Sequence, residues 1–421
     1  MFKRVRGTQD ILPQDSSSWQ EIEEVARRVF FLYGYQEIRT PVLEKASLFN
    51  HSLGETTEIV QKQMFEVIHG KDHLVLRPEG TAAVVRAYLE NNLDKTSQAS
   101  KLYYFGPMFR AERPQKGRLR QFHHLGIEAI GSLSPRLDIE VISMSDRLLR
   151  ELGITGYHIY INSLGCAQDK ARLAKVLRKE LKSELPKLCP DCRNRYIRNI
   201  FRILDCKNPD CQRVVSGLEL KHDHLCSDCR QHFQSLIEGL ESTGVSYQSL
   251  PYLVRGLDYY TRTVFEVRHA RLGAQDAIGA GGRYDNLIGR LGGRELPAIG
   301  FAFGIERLLL ARGSKAAQKN QSLVYVIALG REAETKGTEL LHVLRENNIP
   351  SDTDYAGRSL KGAMRQANEL GARFCVIIGE DELAKGVVSL KDMVTGAQEE
   401  VREDNLIKEL MIYQQKAKVK V

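Results

Sequence analysis

The sequence predicts an α+β protein, in which a core built on antiparallel strands carries a helical insertion and is followed by a separate α/β domain. Three observations support this prediction. Two strand-like segments flank a long basic loop, a cysteine-rich helical stretch interrupts the core pattern, and short apolar strands alternate with helices after residue 322. Segregated strands and helices are typical of α+β units, whereas their alternation is typical of an α/β domain.

The first element is an amphipathic helix. Apolar residues recur at helical spacing over residues 19–31, and Gly34 ends the pattern. Two strands are then predicted over residues 101–112 and 121–130, joined by the polar segment 113–118, which is too long for a tight turn.

Side-chain alternation along this hairpin places charged residues together. Arg110 and Glu112 share one face of the first strand, and His124 and Glu128 share one face of the second. A solvated face with cross-strand ion pairs would give the same pattern. The connecting loop, however, adds further cations that suit a phosphate chain. These are Arg113, Lys116, Arg118 and Arg120.

The pattern changes at residue 166, where a helical, cysteine-rich insertion is predicted over residues 166–247. Strand-like residues resume over 252–267, so the core, 1–320, is predicted to be discontinuous, formed by 1–165 and 248–320. A linker-like run at 312–322 precedes the C-terminal α/β domain, 322–421, whose last residues, 416–421, are expected to fray. Within that domain we expect strands over 323–329, 374–378 and 387–390 and helices over 334–346 and 359–370.

Composition excludes some classes of protein. Hydrophobic residues make up 42% of the chain and charged residues 27%, and no apolar run approaches a bilayer span, so no membrane partner is expected. The basic start is followed by Thr8, Gln9 and Asp10 instead of the apolar stretch of a signal peptide, which favours a cytoplasmic protein. The net charge of +8 permits a polyanionic partner without requiring one.

Six of the eight cysteines lie between residues 189 and 229 of the insertion, apart from Cys166 and Cys375. They include two CxxC pairs, a spacing that lets two thiolates hold one zinc ion, and in a reducing compartment such clustering indicates metal more than disulfides. Cys206 and Cys211 lie between the pairs, so free thiols and more than one ligand set remain open. The pairs predicted as structural zinc ligands are Cys189 and Cys192, and Cys226 and Cys229.

Four more segments combine glycine with polar residues, namely 76–81, 253–263, 279–285 and the strand-to-helix segment 300–307. Such segments usually only turn or pack the chain. Together they supply the carboxylates, tyrosines and arginines that could hold an amino group, a ring and phosphates.

Taken in order, these segments resemble the class II aminoacyl-tRNA synthetases. Residues 34–43, with Pro41, are similar to their dimer-forming motif 1, residues 109–128 to motif 2, and residues 300–307 to motif 3. Residues 253–263 and 280–285, together with the opening 6–13, are similar to the histidine-specific family within that class.

The resemblance implies an activity and its partners. The protein would activate L-histidine with ATP, accompanied by Mg2+, and transfer the histidyl group from the adenylate to tRNA(His). It would be a homodimer, and its C-terminal domain would bind the anticodon.

The resemblance also implies roles for single residues. Arg110 would bind the α-phosphate, Glu112 the adenine side, and Arg118 and Arg307 the outer phosphates. Arg110 and Arg255 would be catalytic. The histidine pocket would consist of Glu79, Gly80, Thr81, Arg110, His124, Glu128, Arg255, Tyr259, Tyr260 and Tyr284. The family usually has glutamine at the position of His124, so the role of this ring is left open.

Two alternatives belong to other classes of protein. An inactive paralogue, such as the histidine-sensing regulatory subunit of ATP phosphoribosyltransferase, is expected to lose phosphate-binding arginines and the C-terminal domain, which this chain retains. A zinc-bearing nucleic-acid module without catalysis would leave the predicted nucleotide-binding residues unexplained.

Overall fold

The computed structural model describes residues 2–54, 57–95, 99–115, 117–273, 275–313 and 323–418. The chain divides into two units, Met1–Lys315 and Ala316–Val421. Most of the predicted linker, Lys116 of the predicted phosphate-binding loop and the end of the tail lie outside the described residues.

Strands and helices of the first unit follow the chain in this order, within the described residues. The strands are β1 (Gln36–Glu37), β2 (Leu43–Lys45), β3 (Phe65–His69), β4 (Asp72–Leu76), β5 (Ser100–Phe109), β6 (Gln121–Ile130), β7 (Tyr157–Ser163), β8 (Gln248–Ser249), β9 (Thr261–His269), β10 (Ala277–Arg283) and β11 (Ala298–Gly304). The helices are α1 (Pro13–Leu32), α2 (Ala46–Leu53), α3 (Thr81–Glu90), α4 (Pro135–Glu151), α5 (Ala167–Leu181), α6 (Pro190–Arg198), α7 (Phe201–Leu204), α8 (Pro209–Ser216), α9 (Ser227–Ser242), α10 (Leu287–Arg290) and α11 (Ile305–Arg312).

A large sheet organises this unit, with the strand order β1-β5-β6-β11-β10-β9-β7-β8. Its pairs are antiparallel except at the two ends, where β1 pairs with β5 and β8 pairs with β7 in parallel. A smaller antiparallel sheet has the order β2-β4-β3. The predicted α+β class is therefore confirmed.

The two faces of the large sheet differ because successive side chains of a strand point in opposite directions. On β6, Leu125, Ile127 and Ala129 are buried in a core that also contains apolar residues of α1, α4, α9 and α11. His124 and Glu128 lie on the other face, which carries the candidate site.

Two predicted strands are shorter than expected. β5 ends at Phe109, so Arg110 and Glu112 lie beyond it, although the Arg110 N–H still donates to the Arg120 carbonyl at 2.9 Å. β9 begins at Thr261 instead of at residue 252. The residues before β9 form a turn instead of a strand. Their backbone carbonyl groups accept hydrogen bonds from the side chains of Asn162 on β7 and Lys170 on α5.

The helical stretch predicted as an insertion divides its packing between two cores. Apolar residues of α5 and the segments around α6, α7 and α8 form a small core of their own, with Leu177, Leu181 and Ile203 fully buried. Helix α9 instead packs Leu236 and Leu240 into the core beneath the large sheet. The last helix therefore fixes the stretch to the rest of the first unit.

The second unit is an α/β sandwich with a core of its own. Its sheet has the order β13-β12-β14-β15-β16, parallel among the first three strands and antiparallel among the last three. Within the described residues, no helix of either unit is both long and apolar enough to cross a membrane. The elements are β12 (Val324–Ala328), α12 (Arg331–Glu346), β13 (Ser351–Thr353), α13 (Leu360–Glu369), β14 (Phe374–Ile378), α14 (Glu380–Lys385), β15 (Val387–Asp392), β16 (Gln398–Arg402) and α15 (Glu403–Lys418).

Candidate active site

A cleft of about 300 Å³ opens on the sheet face that His124 and Glu128 share. Segments far apart in the sequence converge there, from the start of α3, the β5–β6 hairpin, the turn before β9, the end of β10 and the start of α11. The predicted site residues that line it are Glu79, Thr81, Arg110, Glu112, Arg118, His124, Glu128, Arg255, Tyr259, Tyr260, Tyr284 and Arg307.

Glu79 is fixed at the start of α3. Its buried carboxylate accepts hydrogen bonds from the backbone N–H groups of Thr81 and Ala82, both at 2.8 Å, which satisfies two donors that a helix leaves unpaired. Burial raises the pKa of Glu79, and these hydrogen bonds oppose the shift. Gly80, also predicted in the pocket, is not among the residues that line the cleft; a Cβ atom there would come within 2.3 Å of the Tyr104 ring.

Glu128 accepts two hydroxyl donors in the floor of the cleft. Thr81 Oγ1 donates to Glu128 Oε1 at 2.6 Å, and the Tyr284 hydroxyl donates to Oε2. Burial raises the pKa of Glu128 to about 8, and the nearby charge of Glu79 adds to the shift, whereas the two donors oppose it. A carboxyl with this pKa can exchange a proton near neutral pH.

His124 is neutral at neutral pH. Burial, followed by the positive charge of Arg110, lowers the pKa of His124 to about 3. Its ring packs edge-on against Phe122 at 5.0 Å between centroids. The buried Nδ1 atom has no hydrogen-bond partner among the described residues, so it is available to a ligand.

Two arginines of the motif 2 segment are held in different ways. Arg110 Nε donates to the Pro78 carbonyl at 2.9 Å, and its guanidinium lies 5.3 Å from the centre of the Phe122 ring. Burial lowers the pKa of Arg110, but guanidinium remains charged. Arg118 Nε lies 2.6 Å from Glu112 Oε2. Both guanidinium groups border the cleft.

Arg307, in the first turn of α11, is oriented by backbone oxygens instead of by an acid. Its guanidinium donates to the carbonyl groups of Gln275 at 2.9 Å and Ala277 at 2.5 Å. Burial, followed by the charge of Arg118, lowers the pKa of Arg307. The positive charge of Arg307 is therefore not neutralised by these contacts, which favours an anionic ligand.

Arg255 forms an ion pair with Glu266 of β9. The same carboxylate accepts from Arg268 Nε at 2.5 Å. Arg255 Nε is buried and has no hydrogen-bond partner among the described residues. Glu266 thus orients Arg255 and leaves a donor for a ligand.

Three aromatic rings form one wall of the cleft. The Tyr259 ring lies 4.8 Å from that of Tyr260 and 5.6 Å from that of Tyr284, between centroids. Burial is the largest effect that raises the pKa of each phenol, that of Tyr260 to about 12. The hydroxyl groups therefore stay neutral and can donate or accept hydrogen bonds.

Sequence reasoning missed some of the lining. Tyr104 lies opposite Gly126 in the hairpin, and Glu266 holds Arg255. Arg202 and Lys207, from the helical stretch 166–247, also border the cleft. Tyr104 could have been found from the same alternation that selected His124, whereas the other contacts depend on tertiary packing.

The predicted zinc ligands fall into two groups, so the two CxxC pairs do not share one set of donor atoms. The four-cysteine cluster consists of Cys189, Cys192, Cys206 and Cys211. The three-cysteine cluster consists of Cys166, Asp169, Cys226 and Cys229. In each, the donor atoms lie within 4.8 Å of one another. The CxxC pairs separate because they begin different helices, α6 and α9, and α9 is packed against the core beneath the sheet.

Comparison with known proteins agrees with this architecture over nearly the whole chain. A sequence profile of histidyl-tRNA synthetase matches residues 7–308, and one of an anticodon binding domain matches residues 323–411. A histidine–tRNA ligase of Halothermothrix orenii is 47% identical over 413 residues, which cover 97% of this chain and 98% of that protein. The crystal structure of apo S. aureus histidyl-tRNA synthetase has a TM-score of 0.81 at 36% identity and covers 97% of this chain and 100% of that one.

A weaker likeness concerns the regulatory alternative. A Bacillus halodurans structure described as an ATP phosphoribosyltransferase regulatory subunit/histidyl-tRNA synthetase has a TM-score of 0.65 at 24% identity, over 87% of this chain and 96% of that one. At that identity the likeness shows a shared fold alone. The full-length relatives favour the synthetase prediction over the regulatory alternative. The chain therefore belongs to the histidyl-tRNA synthetase family, whose members are aminoacyl-tRNA ligases.

Proposed function

We propose that the protein is a histidine–tRNA ligase. It converts L-histidine and ATP into histidyl-adenylate and diphosphate, and then transfers the histidyl group to tRNA(His) with release of AMP. The observation that carries this proposal is the convergence in one cleft of Arg110, Arg118, Arg255 and Arg307 with the buried carboxyl groups of Glu79 and Glu128. Arginines suit a triphosphate, and buried carboxylates suit the amino group and ring of histidine.

The arginines are assigned to the nucleotide. Arg110 binds the α-phosphate, Arg118 and Arg307 bind the outer phosphates, and Glu112 contacts the adenine side. The fixed orientation of Arg307 supports its role, because its carbonyl contacts leave the charge available to phosphate.

The floor and the aromatic wall of the cleft are assigned to histidine. Glu128, with a pKa near neutrality, can accept a hydrogen bond from an N–H of the substrate, and His124 Nδ1 offers a further polar contact. Phenols and hydroxyls complete a pocket that matches a small polar ring. The assigned residues are Glu79, Gly80, Thr81, Arg110, His124, Glu128, Arg255, Tyr259, Tyr260 and Tyr284.

The first step needs positioning and charge dispersal more than proton transfer. The histidine carboxylate is already a nucleophile, and its attack on the α-phosphorus spreads negative charge over the phosphate oxygens. Arg110 and Arg255 are proposed as the catalytic residues that stabilise this charge. Preorientation by the Pro78 carbonyl and by Glu266 supports the assignment.

Mg2+ is expected to accompany the nucleotide, as family membership implies. Among the described residues, the only groups of three or more side chains suited to a metal ion contain cysteines. This fits an ion bound chiefly by phosphate oxygens and water instead of by a protein cage.

The four-cysteine cluster is proposed to hold a structural zinc ion. Its four sulfurs are a common zinc donor set, and the Cys189 N–H donates to Cys211 Sγ at 3.2 Å. Arg195 lies 3.9 Å from Cys192 Sγ, where its charge would offset that of a zinc–thiolate group. This ion would stabilise the helical stretch and take no part in the reaction.

The remaining proposals concern assembly. Phe31, Leu32 and Leu43 are exposed apolar residues at or beside the motif 1 segment, which supports a homodimer. The second unit, matched by an anticodon-binding profile, is proposed to bind tRNA(His) at the anticodon, and the first unit, with 166–247 as an insertion, to be catalytic.

The direct test is charging of tRNA by the purified full chain with each of the standard amino acids. We expect charging of tRNA(His) with histidine alone. Charging with another amino acid, or no charging by a folded and histidine-binding protein, would contradict the proposed function.

A further inference from the structure

The three-cysteine cluster is not needed for the proposed reaction, yet it has the donors of a metal site. Three sulfurs and one carboxylate oxygen lie within 4.8 Å of one another. Asp169 and Cys229 are buried, and Cys166 and Cys226 are half-buried. Zinc binds tetrahedrally to thiolate and carboxylate donors of this kind.

The surroundings favour a negatively charged metal group. Cys166 is the N-cap residue of α5, and Cys226 is the N-cap residue of α9, so the positive ends of two long helices meet at the cluster. Arg172 pairs with Asp169. Zinc with three thiolates and one carboxylate has a net charge of −2, which these groups would stabilise.

Hydrogen bonds hold the carboxylate of Asp169 in place, as a metal ligand requires. Its Oδ2 accepts from the Cys166 N–H at 3.1 Å, and its Oδ1 accepts from the Cys226 N–H at 3.0 Å. Hydrogen bonds to a ligating carboxylate are the usual support of a zinc site. A Cβ atom at Gly165 would come within 2.3 Å of Asp169 Cβ, so glycine permits this close turn.

We propose that the three-cysteine cluster binds a second zinc ion through the sulfurs of Cys166, Cys226 and Cys229 and one oxygen of Asp169. Binding releases three thiol protons to solvent and changes no oxidation state. The ion ties the start of α5 to the start of α9.

Hydrogen bonds link the start of α5, beside the three-cysteine cluster, to the proposed histidine pocket. Lys170, one residue beyond Asp169 on α5, donates to the carbonyl groups of Asp258 at 3.3 Å and Tyr260 at 3.1 Å. The Arg262 N–H also donates to the Gly165 carbonyl at 2.8 Å, next to Cys166. The second zinc ion therefore helps to position the Tyr259–Tyr260 turn. This role rests on the proposed function of the cleft, whereas the metal site itself does not.

The test is zinc content per chain in full-length protein, prepared without chelator under reducing conditions. We expect about two zinc ions in the unsubstituted protein and in Cys375→Ser, whose cysteine lies in the second unit. Cys229→Ser is expected to lose one ion, and Cys192→Ser, in the four-cysteine cluster, to lose the other. Equal zinc content in Cys229→Ser and the unsubstituted protein would overturn the proposal.

Cobalt substitution tests the donor set without any change in the amino-acid sequence. Cobalt on three sulfurs and one oxygen absorbs at shorter wavelength than cobalt on four sulfurs, so two distinct sets of bands are expected. A single four-sulfur spectrum, or a disulfide between Cys226 and Cys229 in the reduced preparation, would overturn the second site.

Asp169→Asn tests the carboxylate ligand. We expect its second zinc ion to be lost to a competing chelator at a chelator concentration at least about 10-fold lower than in the unsubstituted protein, because removing a ligand lowers metal affinity no less than removing a group that only orients a ligand. An unchanged chelator titration would exclude Asp169 as a ligand and overturn the proposed donor set.

Discussion

At the scale of single residues, Arg255 and Arg268 share the carboxylate of Glu266, but only Arg255 borders the cleft. The two substitutions to alanine remove the same kind of ion pair. We expect Arg255→Ala to lower histidine-dependent ATP–pyrophosphate exchange by about 10²- to 10³-fold, since one donor to a developing charge contributes on that scale.

Arg268→Ala is the matched control and should keep exchange within a few-fold of the unsubstituted protein. Circular dichroism of both variants checks that the fold is intact. Near-normal exchange by a folded Arg255→Ala protein would contradict the catalytic role assigned to Arg255.

Burial of His124 in the cleft makes the free energy of unfolding depend on pH. Its pKa is about 3 in the folded chain against an ordinary value of 6.5, so between these values the unfolded chain binds a proton that the folded chain does not. The free energy of unfolding must therefore fall as the pH drops below 6.5, by roughly 2 kcal/mol between pH 7 and pH 5 from this group alone.

His124→Gln is expected to remove this part of the acid sensitivity. The measurement is urea unfolding at pH 7 and pH 5, followed by fluorescence of Trp19, the single tryptophan, which is buried in the first unit. His158→Gln, at an exposed position on β7, should keep the unsubstituted pH dependence. If His124→Gln loses as much stability between pH 7 and pH 5 as the unsubstituted protein does, His124 is already protonated in the folded chain at pH 5.

At the scale of elements, the β5–β6 hairpin depends on one close approach. A Cβ atom at Gly126 would lie 2.5 Å from the Tyr104 ring across the pair and 2.9 Å from the Phe301 carbonyl. We expect Gly126→Ala to lower the free energy of unfolding by about 1–3 kcal/mol, because both strands are central and cannot move apart.

The loss should be smaller when Tyr104 is also alanine, since the ring is then absent. Urea unfolding of the two single variants and the double variant, followed by Trp19 fluorescence, gives this coupling. Strictly additive losses would mean that Tyr104 is not the group that requires glycine.

The spacing of apolar residues predicted which strands and helices exist more accurately than it predicted where they end or which elements they contact. The alternation that selected His124 and Glu128 was sufficient because β6 is regular and buried on one face. The start of β9 was misplaced because the turn before it is held by Asn162 and Lys170, which are distant in sequence.

The cysteines show the same limit. CxxC spacing identifies pairs that can share an ion, but it contains no information on which pairs meet. Cys166 and Asp169 join Cys226 and Cys229 only because α5 and α9 begin side by side in the fold. The sequence alone therefore did not show that Cys166 and Asp169 lie beside Cys226 and Cys229.

At the scale of the whole molecule, the two units have separate cores, and the proposed adenylation residues all precede residue 308. Removing the second unit, by producing residues 1–318, should spare pyrophosphate exchange and damage tRNA charging, because a second contact surface raises affinity for one ligand. Both assays are run on the same fragment, after its dimeric state is checked against the full chain.

If the dimeric fragment charges tRNA(His) as well as the full chain does, the second unit is not the anticodon-binding unit. If exchange is lost while the fold and the dimer persist, the boundary between the two functions is misplaced.

The cleft is proposed to join histidine to the α-phosphate of ATP, and pyrophosphate exchange by the full chain measures that step without tRNA. We predict exchange that requires histidine and is not supported by other amino acids at the same concentration. A folded protein that binds histidine but exchanges no pyrophosphate would be a histidine sensor, and that result would contradict the proposed ligase activity.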